Sequence, residues 1–152
     1  MAIKRYFATK DNTITNAFKV DLSTRATDSN TGLSDILEIY SVYGQASSSS
    51  GLTSELSRIL LEFDISALSS DRTAGSIPAS GSVSFYLKMF NARHGQTLPY
   101  NYYVEVKAVT GSIAWEEGYG LDMDGYTDTA VNGTGSTWLS ASSADSDGWS
   151  TA

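Results

Sequence analysis

The chain has no cysteine and a single histidine, His94, in 152 residues. Without cysteine there is no disulfide framework, no thiolate nucleophile and no cysteine-based zinc site, so the core alone must hold the fold. Prolines number two, and charged residues make up only 18% of the chain. Lys and Arg total 10 against 17 Asp and Glu, a formal net charge of −7, with no basic cluster beyond Lys4-Arg5. Nucleic-acid binding requires a basic stripe that neutralises phosphates. Neither nucleic acid nor an anionic membrane surface is therefore expected as a partner. No apolar run approaches the ~18 residues of a membrane span, and residues 1–7 lack the long apolar core of a Sec signal peptide.

What is present is uncharged polarity. Ser, Thr, Gly and Asn carry most of the polar character, hydrophobic residues reach 41%, and there are nine tyrosines. This texture suits an extracellular or particle-surface β protein better than a cytosolic enzyme. A chain of this length reads as one domain over residues 1–152, able to bury about 68–70% of its unfolded surface.

The clearest pattern lies at 57–65, where Ile59, Leu61, Phe63 and Ile65 alternate with Arg58, Leu60, Glu62 and Asp64. Apart from Leu60, this is the period of a half-buried strand, and it is taken as the central core strand. A helix starting at Ser54 competes for part of it and fits the alternation less well. Further strands are expected at 3–7, 13–15, 36–43, 83–91 and 102–108. The run Ser47-Ser48-Ser49-Ser50 within 44–51 reads as a solvated connector, and Asp28-Ser29-Asn30-Thr31-Gly32 as a turn. Alternating strands separated by turn clusters predict an all-β fold, an antiparallel β-sandwich or jelly roll. The strand signals dwindle after Leu139. That predicts a sandwich whose last strands lie outside these 152 residues, supplied by a neighbour or by further chain.

Several of these segments carry a family resemblance. Asp11-Asn12-Thr13-Ile14, Asn30-Thr31-Gly32, Arg58 through Ile65, Ile77 through Leu87 and Trp115-Glu116-Glu117-Gly118 together resemble the DNRLRE-type jelly-roll domain. Closer still is the likeness to a set of uncharacterised tailed-phage proteins, chiefly from marine phages of cyanobacteria. It rests on Met1 through Tyr6, Thr9 through Ala17, Tyr43 through Ser50, and Gly120-Leu121-Asp122-Met123-Asp124. The resemblance implies a virion structural protein whose partners are other copies of itself and other phage structural proteins, and a protein that continues past residue 152. Assembly into a particle followed by host lysis is then its route out of the cell. Members of the broader jelly-roll group bind polysaccharides, which makes cell-surface glycans the alternative partner and an extracellular or cell-surface location the alternative place. No glycan-binding motif carries over position by position.

The candidate chemistry is thin. Asp122, Asp124 and Asp128 gather around Gly125, and hard oxygens at that spacing can surround Ca²⁺. The bidentate Glu that an EF-hand places twelfth is missing, since Gly133 stands there. The preferred reading is a metal-free acidic turn, with these three as the calcium candidates and no other cofactor expected. Glu116 and Glu117 beside Trp115 invite a glycosidase reading, but adjacent residues of a strand point to opposite faces. His94 reads as a surface loop residue, and no Gly-x-Ser-x-Gly motif occurs. No catalytic residue is assigned, and the chain is read as a non-enzyme. Tyr100, Tyr103, Tyr119 and Tyr126 are the candidate ligand or interface aromatics, whereas Tyr102 and Trp115 are expected in the core. The function expected is a virion structural subunit (head decoration, fibre or appendage), the alternative a polysaccharide-binding module.

Overall fold

A computed structural model describes residues 3–48, 51–79, 81–95, 97–109, 114–121, 135–142 and 148–149. The fold is β-rich with little helix. β1 (Ala8–Thr15), β2 (Ser41–Ser48) and β3 (Gly51–Phe63) form one small sheet in the order β1-β3-β2, and α1 (Ala67–Thr73) is a short helix. The chain divides into two compact units. Unit 1 comprises Met1–Phe7 and Phe63–Ala108; unit 2 comprises Ala8–Glu62 and Val109–Ala152.

The segment with the strongest alternation does become the central strand, but with different limits. β3 starts six residues before Ser57 and ends at Phe63, leaving Ile65 exposed. β2 pairs with it antiparallel, from Ser41↔Leu56 through Tyr43↔Ser54 and then, after a bulge, from Ser47↔Leu52 to Ser48↔Gly51. Most of the serine-rich stretch read as a connector is thus strand. A ladder is made by backbone groups, and serine supplies them as well as valine does. The strand expected at 36–43 forms only from Ser41 onward. Before it, one backbone bond, Ser57 N to Tyr40 O (3.1 Å), is joined by side-chain hydroxyls: Glu38 N donates to Thr13 Oγ1 (3.1 Å), Tyr40 N donates to Ser57 Oγ (2.8 Å), and Ser57 Oγ donates to Glu38 O (3.0 Å).

Burial along β3 also departs from the simple alternation. Ile59, Leu61 and Phe63 are half-buried, and Leu60, the residue that broke the pattern, is buried. It packs with Ile14, Trp115 and Ala141, and Trp138 and Trp149 lie against that cluster. The opposite face was expected to meet solvent or lateral ion pairs. Glu62 does pair with Lys10 at 3.0 Å, but Arg58 lays its guanidinium 4.1 Å from the Trp138 ring centre, a cation–π contact. β3 is therefore packed on its Leu60 face, while Ile59 and Leu61 on the other face are half-buried.

Among the described residues, the buried set is more polar than apolar: seven hydrophobic residues against twelve polar or charged ones. Unit 2 is knitted by this polar set. Asn12 Nδ2 donates to Ser136 Oγ (2.8 Å) and Ser136 O (3.1 Å), and Asn12 Oδ1 accepts from Thr31 N (3.0 Å). Asn30 Oδ1 accepts from Gly120 N at 2.9 Å. Gly120 sits so close that a Cβ there would overlap the Asn30 carbonyl, so only glycine admits this approach. The Asn12, Thr31, Ser136, Asn30 and Gly120 groups named here are thus satisfied, the ordinary condition for burying a polar group. Glu55 of the same set keeps Oε2 on Phe18 N (2.8 Å) but buries Oε1 without a partner.

In unit 1, α1 is anchored through its acid. Lys4 Nζ and Tyr6 OH donate to the two oxygens of Asp71, each at 2.9 Å. These two hydrogen bonds, first that from Lys4, hold the Asp71 carboxyl below the usual carboxylate range. The folded state therefore takes up a proton here less readily than the unfolded chain. The stabilisation is complete above about pH 5 and is lost as pH falls through the lowered folded value. Asp71→Asn is expected to melt below the wild type at neutral pH, and the gap should close on acidification. A gap that stays constant down to about pH 2 would remove the carboxylate charge from the explanation.

The strands expected at 83–91 and 102–108 are not formed: neither segment has strand structure, and nearly all of their side chains are exposed. Alternation marks a segment that can pair, but a strand exists only where a neighbour completes the ladder. Tyr102, expected in the core, is correspondingly exposed.

Candidate functional site

Within unit 2, a cavity of about 340 Å³ opens beside Trp115. Its lining comes from three places in the chain: Lys10 on β1, the run Trp115 through Tyr119, and Gly135. That volume lies at the small end of ligand-binding pockets. β1 delivers Lys10 because Asn12, Thr13, Ile14 and Thr15 are all buried, which leaves the strand little freedom to shift. The run 115–119 is held at its start by Glu116, whose N donates to Ala141 O (2.9 Å) and whose O accepts from Ser136 N (2.8 Å).

The polar groups of the site are largely committed to the fold. Glu116 Oε2 accepts from Gly135 N (3.1 Å), and Glu117 Oε1 accepts from Asp11 N (2.9 Å). Lys10 Nζ donates to Glu62 Oε2 (3.0 Å) and to Trp115 O (3.4 Å), and stands 5.6 Å from the Trp115 ring centre. Burial, and then the neighbouring Glu117, push the Asp11 carboxyl above its ordinary value. Tyr119 is more than half exposed at the edge of the cavity. The arrangement offers an aromatic wall, hydrogen-bond acceptors and one ammonium group, which suits a polar ligand with an apolar face.

The described residues singled out from the sequence fall in both units. Tyr119 lines the cavity in unit 2; Tyr100 and Tyr103 are fully exposed in unit 1. Trp115 is buried as expected. Tyr126 and the calcium candidates Asp122, Asp124 and Asp128 lie outside the described residues. Among the described residues, no group of three or more His, Asp or Glu side chains is placed to hold a metal ion, and no helix is long and apolar enough to cross a membrane. Glu116 and Glu117 both line the cavity, contrary to the opposite-face expectation. The reason is local: 114–121 is not a strand, and Gly118 turns the chain at φ +90°. His94 is exposed, in keeping with a surface loop.

Lys10, Asp11 and Gly135 were not anticipated in the site. No local signal pointed to them, because the hydrogen bonds from Lys10 and Asp11 to Trp115 and Glu117 span more than 100 residues of chain. Compared with protein-family models, with curated proteins and with solved structures, the chain matches none of them.

Proposed function

We propose that the chain is a non-enzymatic structural subunit of a phage virion, a head decoration, fibre or appendage protein, that works by self-assembly through surface contacts. A β-sandwich or jelly roll is the framework proposed for it. The observation that carries this reading is the aromatic and aliphatic surface left exposed along 83–108, including Phe85, Tyr86, Phe90, Tyr100 and Tyr103. Monomeric soluble proteins rarely show contiguous apolar patches beyond a few hundred Å², and larger ones mark interaction surfaces. The resemblance of residues 1–6, 9–17 and 43–50 to tailed-phage proteins adds support. Mass spectrometry of purified particles of the phage that encodes the chain tests it: the protein is expected among the stoichiometric components, and its absence from the particle would sink the reading.

A second reading, an extracellular polysaccharide-binding module, is favoured by one observation, the cavity with Tyr119 at its edge and carboxylates in its wall. A glycan array, followed by affinity electrophoresis on alginate-like polymers, tests it. Retardation that disappears in Tyr119→Ala is the expected result on that reading.

A further inference from the structure

Charge divides unevenly between the two units. Unit 1 carries six Lys and Arg against three acids, a net charge of +3; unit 2 carries four against fourteen, a net charge of −10. In unit 1 the cations Lys88, Arg93 and Lys107 are exposed and interleaved with exposed aromatic rings. Lys88 lies 4.9 Å from the Phe90 ring centre, and Lys107 pairs with the exposed Glu105 at 3.2 Å. In unit 2 the opposite combination occurs on one short segment. Leu33, Ile36 and Ile39 each expose about half of their surface, with the exposed acids Asp35 and Glu38 between them.

We propose that these two surfaces are halves of one contact between copies of this chain. The aromatic and cationic face of residues 83–108 docks on the aliphatic and acidic segment 33–39 of a second copy. The inference rests on the self-assembly reading and names its surfaces. Two arguments select a second copy in head-to-tail orientation. The first is area. Six aromatic side chains of residues 83–108 expose between three-fifths and all of their surface. At roughly 150–250 Å² per buried aromatic, they offer on the order of 1,000 Å², against the ~800 Å² that each partner of a standard interface buries. The second is charge. Face-to-face pairing of like units would set net positive against net positive, or negative against negative, and like-charge juxtaposition is what interfaces avoid. A heterologous contact instead joins opposite signs, and its repetition generates a ring or a filament.

The test uses the 152-residue chain and two charge-reversed variants, Lys88→Glu/Arg93→Glu/Lys107→Glu and Asp35→Lys/Glu38→Lys. All five positions are exposed, and circular dichroism establishes that each variant is folded. Sedimentation velocity at low and high salt is the readout. The wild type is expected to associate, more weakly as salt rises. Each variant alone should lose association at least tenfold, and an equimolar mixture of the two should recover it, because each restores the sign its partner lost. A wild type that associates with no response to either substitution set overturns this inference and leaves the self-assembly reading standing. A wild type that stays monomeric at high concentration and low salt overturns both.

Discussion

Trp115→Ala is expected to destabilise the protein by about 3–5 kcal/mol, the usual cost of truncating a buried large aromatic. Trp115 is buried in the cluster with Ile14, Leu60 and Ala141, so its removal leaves a void at the point where β1, β3 and the 115–119 run meet. At roughly 2–4 °C per kcal/mol for a chain of this size, the melting temperature should fall by about 10 °C or more. The same ring walls the cavity and faces the Lys10 ammonium, so the site should loosen with the fold. Trp115→Phe keeps part of the apolar volume and should cost less than half as much. Thermal or urea unfolding decides the matter. A Trp115→Ala protein that melts within two or three degrees of the wild type would show that the cluster contributes little.

Asn12→Ala should be comparably damaging, although it removes only one small amide. Its two ends hold Thr31 N on one side and Ser136 Oγ and O on the other, all at positions that are buried. Truncation leaves these groups without that partner, and each buried polar group left unsatisfied costs about 1–3 kcal/mol. A total of about 3–5 kcal/mol follows, read from urea unfolding. Asn12→Asp separates hydrogen bonding from shape. The carboxylate keeps the acceptor for Thr31 N but turns an oxygen toward Ser136 O, where the amide had a donor. Burial raises the pKa of such a carboxyl, and its protonated form can donate to Ser136 O. The Asp variant should therefore recover stability relative to the wild type as pH is lowered, because its carboxyl binds a proton more tightly folded than unfolded, whereas Asp71 binds one less tightly. No recovery would mean that the Asn12 donor is not what matters.

These predictions rest on features that the sequence displayed very unequally. The alternation of Ile59, Leu61 and Phe63 was enough to locate the central strand, because strand side chains follow a two-residue period whatever their partner. It was not enough to show that Leu60 would be the buried one. That outcome depends on Trp115 and Ala141 arriving on the second face from more than 50 residues away. Asn12 and Asn30 were visible as parts of the segments that carry the family resemblance, and Asn30 also as part of a turn. Their actual role is to join β1 to residues 31, 120 and 136 through a buried polar network, which no local pattern encodes. The serine-rich stretch misled in the opposite direction. Its composition reads as a connector, yet backbone pairing made most of it strand.

The candidate site was legible only in fragments. Trp115, Glu116, Glu117 and Tyr119 stood out as an aromatic and acidic run, but the cavity exists because Lys10 and Gly135 close it. The exposed aromatics of 83–108 were legible as alternating segments and not as an unpaired surface.

By itself the sequence determined what depends on composition and local period: the β character, the absence of cysteine-based linkage, the acidic balance and the place of the central strand. Tertiary structure alone decided which polar groups are buried together, which face of β3 receives a second layer, and which alternating segments remain without a ladder. The reason is physical. Periodicity records how a side chain points from its own backbone, whereas burial and hydrogen-bond satisfaction depend on distant parts of the chain.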